Sequence, residues 1–272
     1  MRHEEGTFTG ARGMSIYYQY WLPDATAKAL VVLVHGAGEH SGRYRQLAEK
    51  FTARGYLVAA LDHPNHGKSA GHYGHVDRFE DFLQTLGIFH RRVTEAYPDL
   101  PQFLISRLYP LQHHDAFSRC VFSAAAIKSD IEPGLMQMLL IRVMSALAPK
   151  TGVLQLDASG VSRDQAVVDN YLNDPLVNHS KMTARKVAEL FRAMARIQSQ
   201  ASQIRLPMLV LHGDADAMAS AEGSRFLHRH MASADNTLKL YPGLYHEIFN
   251  EPEREQVLTD VLDWCDARIP VR

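Results

Sequence analysis

The chain has 272 residues, 46% hydrophobic and 22% charged, which fits one large α/β domain with an insertion or two small domains. Its 29 Lys and Arg against 30 Asp and Glu give a formal charge of −1. That balance leaves no general field for nucleic acid or an anionic membrane, so a small-molecule substrate is expected.

From the N-terminus, Met1–Gly6 offers no apolar run for a signal peptide. Thr7–Thr9 and Ser15–Trp21 read as an antiparallel hairpin at a sheet edge. Leu30–Val34 and Leu57–Leu61 are apolar without alternation, the mark of strands covered on both faces. Between them Tyr44, Leu47, Ala48 and Phe51 share one helical face, with Gly55 as a stop signal. Phe79, Phe82, Leu83, Leu86, Val93 and Tyr97 make a second helical stripe, closed by Pro98. Phe103–Ile105 and Cys120–Phe122 follow as strands, Cys120 reading as a buried strand thiol. From about Lys128 to Ile204 the signals are helical only, including Leu135–Ala148 and Thr183–Ile197. The longest apolar-rich stretch, Leu135–Leu147, is broken by Gln137 and Arg142 and is too short to span a bilayer. Met208–Leu211 and Leu238–Leu240 then restore the strand rhythm. Alternating strands and helices predict a mainly parallel, doubly wound α/β sheet. Its core would comprise residues 1–127 and 205–272, with 128–204 a helical cap over the strand C-termini, where such sheets place their sites. With only Cys120 and Cys265, the expected setting is soluble, reducing and cytoplasmic.

Three loop motifs carry chemistry. His35-Gly36-Ala37-Gly38-Glu39-His40-Ser41-Gly42-Arg43-Tyr44 follows a strand, and its small residues let the backbone turn and present N–H groups to a developing oxyanion. It nearly spells a dinucleotide fingerprint, but Ser41 stands where the third glycine belongs. Leu211-His212-Gly213-Asp214-Ala215-Asp216 follows one late strand, and Tyr241-Pro242-Gly243-Leu244-Tyr245-His246-Glu247 follows the next. A carboxylate and then a histidine beyond consecutive late strands match the acid-then-histidine order of hydrolase triads.

With Gly6-Thr7-Phe8, Asp62-His63, His66-Gly67-Lys68-Ser69 and Asn173-Asp174-Pro175-Leu176 added, the chain resembles the monoacylglycerol lipase and lysophospholipase (serine aminopeptidase S33-like) branch of the α/β-hydrolases nearly end to end. The resemblance implies an eight-stranded, mostly parallel sheet flanked by helices. It implies Asp216 as triad acid, His246 as base, Ala37 N–H as an oxyanion donor, and Glu39 and Arg43 shaping a polar pocket for a glycerol end. A lipid or ester substrate of monoacylglycerol type is implied, with peripheral membrane contact through the cap and no cofactor.

One part of that pattern is missing. Such relatives run from the fifth strand into a G-x-S-x-G elbow, whereas this chain reads Gln102-Phe103-Leu104-Ile105-Ser106-Arg107-Leu108-Tyr109-Pro110, and no glycine occurs from position 88 to 133. The stretch is roughly eight residues short, the size of the elbow and the next helical turn. No nucleophile is matched, and the second oxyanion donor goes with it. Two stand-ins remain open. Ser69 sits in Gly67-Lys68-Ser69-Ala70-Gly71, past Pro64 and Asn65 rather than at a strand-to-helix turn; Ser106 ends a strand but lacks small neighbours. The remaining crossover, 106–118, barely reaches the dozen or so residues that such a connection needs, and Pro110 spoils a helix start. A short or irregular helix is expected there. At the earlier loop, Asn65 tolerates positive φ, so the Pro64-Asn65 turn is expected to survive.

Fifteen histidines raise a metal reading, through His63 with His66, His72 with His75, and His113-His114-Asp115. Polar loop histidines without metal are the expectation. Met136, Met138 and Met144 suit either an acyl channel or an ordinary core. Two functions therefore stand: a serine-type carboxylic ester hydrolase lacking its nucleophile segment, and an inactive hydrolase scaffold binding a lipid-like ligand.

Overall fold

Runs of Val, Leu and Ala too apolar to face water on either side become the inner strands of one sheet. The computed structural model describes residues 1–107, 117–128 and 134–270. Its strands are β1 (Arg2–Thr9), β2 (Ser15–Leu22), β3 (Ala29–Val34), β4 (Tyr56–Leu61), β5 (Gln102–Ser106), β6 (Arg119–Ser123), β7 (Gly152–Leu154), β8 (Met182–Thr183), β9 (Met208–Gly213) and β10 (Asn236–Tyr241). The helices are α1 (Arg45–Ala53), α2 (Phe79–Ala96), α3 (Leu135–Leu147), α4 (Gln165–Asn173), α5 (Ala184–Gln200), α6 (Ala221–His230) and α7 (Arg254–Asp266).

Eight strands join in the order β1-β2-β4-β3-β5-β6-β9-β10. The hairpin β1–β2 and the β2–β4 pair are antiparallel; every pairing from β4 to β10 is parallel. Alternation along β3 sends Leu30, Val32 and Val34 to a core shared with Leu86, Phe89 and Val93 of α2 and Leu227 of α6. Ala29, Val31 and Leu33 face the opposite core, with Phe51 of α1 and Val257, Val261 and Trp264 of α7. Helices on both faces explain why these strands carry no polar alternation.

The parallel register aligns the strand ends. Val34 is level with Leu61 and Ser106, and Gly213 with Tyr241. The loops after β3, β5, β9 and β10 therefore emerge on one rim. Asn65 takes φ 64° in the loop after β4, where its side-chain Oδ1 accepts from His72 N at 2.8 Å. Cys120 and Cys265 are both buried and unbridged, and burial pushes both thiols up.

The stretch between β6 and β9 holds α3, α4 and α5, but it is not only helical. β7 and β8 form an antiparallel ribbon there. Elements of three and two residues are too short to show a period, so the helical patterns around them dominate the sequence signal. No helix among the described residues is long and apolar enough to cross a membrane. The expected irregular crossover falls largely on 108–116, outside the described residues, as does His113-His114-Asp115.

Candidate active site

Four rim loops converge. After β9 the chain turns through Gly213, where an added Cβ would lie 2.2 Å from Leu244 O and 2.5 Å from Tyr245 O. Only glycine admits that approach, and it brings the loop after β10 against the loop after β9. Asp216 follows in a turn in which its Oδ1 accepts from Met218 N at 2.8 Å and Ala219 N at 3.0 Å. Its Oδ2 is shared by two imidazoles, His246 Nδ1 at 2.7 Å and His212 Nε2 at 3.0 Å. His212 is itself fully buried, with Nδ1 at 2.7 Å from Ser224 Oγ.

Burial alone would raise the Asp216 carboxyl, but hydrogen bonds from His212 and His246 hold it well below the usual carboxylate range. His246 moves down from the ordinary imidazole value, first because it is buried and then because the Arg107 guanidinium is near; the Asp216 bond opposes this without reversing it. The result at neutral pH is an ionised carboxylate holding a neutral imidazole. The stretch before β9 braces the histidine loop: His246 N donates to Gly160 O at 3.4 Å and Glu247 N to Val161 O at 2.8 Å.

The loop after β3 lies on the same rim. Glu39 Oε1 accepts from Gly36 N and Tyr44 OH, each at 2.8 Å, and from Arg107 Nη1 at 3.1 Å. Arg43 Nη2 donates to Glu247 Oε2 at 2.6 Å, and its guanidinium lies 4.8 Å from the Tyr171 ring centroid. Arg107 also donates to His246 O at 3.1 Å and lies 3.7 Å from Glu247 Oε1. Glu39, Arg43, Arg107 and Glu247 thus form a buried, charge-balanced quartet. Burial would raise the Glu39 carboxyl, but Arg107 and Arg43 bring it down to about 2. Removing one partner from such a buried set typically costs about 3–5 kcal/mol, because it strands a charge.

Ala37 is half-buried in that loop, and its N–H meets no acceptor among the described residues. Its carbonyl accepts from Lys186 Nζ of α5, and His66 Nε2 lies 3.2 Å away. Glu39 and Arg43, read from the sequence as pocket-shaping, stand on this rim but spend their charges on each other and on Arg107 and Glu247.

Neither stand-in serine meets His246. Ser69 Oγ donates to Asp62 O at 2.7 Å and accepts from Tyr17 N at 2.9 Å, which ties the loop after β4 to β2. Ser106 is fully buried at the end of β5, and no hydroxyl of the described residues bonds to His246 Nε2. The residue after Ser106 is Arg107, whose side chain enters the quartet.

The loop histidines have local partners. His63 stacks on Phe82 with centroids 4.5 Å apart, and His75 bonds Thr183 Oγ1 and Asp77 Oδ1, each at 3.0 Å. No group of three or more metal-binding side chains occurs among the described residues. A separate cavity of about 200 Å³, lined by His3, Glu5, Tyr17, Trp21 and Lys68 among others, opens beside β1 and β2 and does not include Asp216 or His246.

Sequence reasoning gave no role to His212, Glu247, Arg107 or Lys186. The first two lie inside the quoted motifs and were within reach; Arg107 and Lys186 carry no local signal.

The family model described as serine aminopeptidase, S33, matches residues 25–253. The chain is 37% identical to a monoacylglycerol lipase of Mycolicibacterium smegmatis over 273 residues, covering 97% of this chain and 98% of that one. It is 33% identical to the monoglyceride lipase of Rattus norvegicus, covering 96% and 90%. Among solved structures, a monoacylglycerol lipase of Paleococcus ferrophilus superposes with a TM-score of 0.81 at 28% identity, covering 98% of this chain and 99% of that one.

Gly213→Ala is expected to destabilise the chain by about 1–3 kcal/mol through overpacking against the Leu244 and Tyr245 carbonyls. Urea unfolding measures this, and a change within error of zero contradicts the close approach.

Proposed function

The chain belongs to the serine aminopeptidase S33 family of α/β-hydrolases, and on that premise we propose that it is a carboxylic ester hydrolase of monoacylglycerol type. The Asp216–His246 bond of 2.7 Å, on the rim that also carries Ala37, is the observation that carries the reading. The lipase names of its relatives favour hydrolysis over mere ligand binding.

In this reading His246 Nε2 takes a proton from the attacking hydroxyl and returns it to the departing glycerol oxygen. Asp216 fixes the Nδ1–H tautomer and stabilises the imidazolium as it forms. Ala37 N–H donates to the oxyanion, while Arg43, Glu39 and Glu247 give the rim polar walls suited to a glycerol end. With no G-x-S-x-G after β5, the hydroxyl deprotonated in this chain is that of water, so no acyl-enzyme forms. A triad without its serine keeps roughly 10³–10⁴-fold over the uncatalysed rate. Losing an oxyanion donor costs about 10²–10³ of that. The chain as it stands is therefore a very slow hydrolase.

Residues 128–204 act in this proposal as a cap, and α3 gives it a lipid-facing side. Leu135, Met136, Leu139, Leu140, Val143 and Leu147 are all exposed, Leu135 at 92% and Leu147 at 82%. Their spacing makes one apolar stripe on a helix, suited to the edge of a bilayer that supplies the substrate. We place the protein in the cytoplasm, a reading supported by its two unbridged cysteines.

Two experiments test this. A fluorophosphonate probe should leave the chain unlabelled, while insertion of a Gly-x-Ser-x-Gly turn after Ser106 should create labelling and monoacylglycerol hydrolysis that His246→Ala abolishes. That activity should be flat at neutral pH and fall as pH drops through a value below the ordinary 6.5 of imidazole, since protonating His246 removes the base. A folded insertion variant that stays unlabelled, or labelling of the unaltered chain, contradicts the account. Separately, Leu140→Glu with Leu147→Glu should abolish co-sedimentation with phosphatidylcholine vesicles; undiminished binding contradicts the role of α3.

A further inference from the structure

Lys186 is 1% exposed on α5, yet no carboxylate pairs with it among the described residues. A buried ammonium is ordinarily matched to an anion, so one that is not asks for another reason to be there. Its acceptors are the Ala37 carbonyl oxygen and, at 3.4 Å, His66 Nε2. Burial and the nearby Lys186 charge hold His66 well below the ordinary imidazole value, so its ring is neutral and has one N–H. Assigning that N–H to Nδ1, which lies 2.9 Å from Pro64 O, leaves Nε2 to accept from Lys186, and the 3.2 Å between Nε2 and Ala37 O is then bridged by the ammonium, which donates to both.

The peptide it grips needs gripping. Ala37 stands between Gly36 and Gly38, and glycines on both sides leave this backbone permissive unless hydrogen bonds fix it on each side of Ala37. Gly36 is held locally on both sides, its N by Glu39 Oε1 at 2.8 Å and its carbonyl, in the same peptide as the Ala37 N–H, by His35 Nδ1 at 2.7 Å. The next two carbonyls are held from the stretch between β6 and β9: Ala37 O by Lys186, and Gly38 O by Asn178 N at 3.4 Å.

We propose that Lys186 is a positioning residue that pins the Ala37 carbonyl through a charged hydrogen bond, fixing the backbone on the far side of Ala37 from the His35-held Gly36 carbonyl, so that the Ala37 N–H keeps the direction an oxyanion requires. The proposal rests on Ala37 being the oxyanion donor. It couples the insertion to the catalytic loop, because displacing α5 releases the donor.

Burial brings the Lys186 ammonium down from 10.5 to about 8. The titratable groups facing it are His66 and, behind it, His63 and His35, all lowered by burial and neutral in this range. Lys186 alone therefore changes charge there, and its bond to Ala37 weakens as the charge is lost. The effect on global folding has the opposite sign. A lysine whose pKa is lower when folded makes the unfolded state bind more protons above pH 8, so its contribution to stability rises with pH between about 8 and the unfolded value. Local loosening with unchanged or rising global stability is thus the signature of the latch.

Hydrogen–deuterium exchange of the full chain, read on peptides covering 35–42 and corrected for intrinsic rates, tests it. In the wild type, protection of this segment should fall about ten-fold between pH 7 and 9.5 as the charge-assisted bond is lost. Lys186→Met, apolar and of similar length, should show the low protection at every pH, and Lys186→Arg should keep the high protection throughout because it does not titrate. Wild-type protection that does not change with pH, or a folded Lys186→Met that matches wild type, overturns the proposal. Should Lys186→Met fail to fold, the wild-type pH series decides alone. In the elbow-insertion variant, Lys186→Met should also lower kcat more than it raises KM; equal hydrolysis with a loosened loop overturns the oxyanion role. Probe labelling of that variant tests Asp216 and His246 without Lys186, so either idea can fail without the other.

Discussion

A single carboxylate oxygen organises the rim of this sheet. Asp216 Oδ2 receives both His212 and His246, while its Oδ1 closes its own turn on Met218 N and Ala219 N. Four bonds hold the carboxylate ionised although burial disfavours the charge. They also fix Nδ1 as the nitrogen of His246 that carries the proton, leaving Nε2 bare. The arrangement depends on Gly213, since a side chain there would collide with the loop that carries His246. Fold, charge and proton inventory thus meet at one turn.

Around that turn the rim is stiffened by charges that cancel. Glu39 and Glu247 oppose Arg43 and Arg107 in a buried set, and such sets give geometric definition more dependably than net stability. Arg107 has a second effect. Its guanidinium, bonded to the His246 carbonyl, helps keep that imidazole neutral. In the proposed mechanism Arg107 therefore contributes electrostatically to the base, although it supplies no nucleophile.

Much of the architecture was legible in the chain. The unalternating runs in β3 and β4 announced strands covered on both faces, and the 3.6-residue stripe of Phe82, Leu86 and Val93 announced α2. Asp216 and His246 stood out because an acid and then a histidine follow consecutive late strands. What was not legible had no local signature. Arg107 acquires its role only when loops distant in sequence meet, lying 68 residues from Glu39 and 139 from His246. Lys186 reads as an ordinary polar position on an amphipathic helix until α5 docks over the loop after β3. The β7–β8 ribbon was too short to announce itself.

The account stands on the protonation state of one ring. ¹⁵N-resolved NMR of the His246 imidazole, followed against pH in wild type and Asp216→Asn, measures it directly. The account predicts a neutral ring protonated at Nδ1, bare at Nε2, titrating below 6.5 and losing its downfield N–H signal when Asp216 is replaced. A ring protonated at Nε2, or one whose titration is unmoved by loss of the carboxylate, would contradict it.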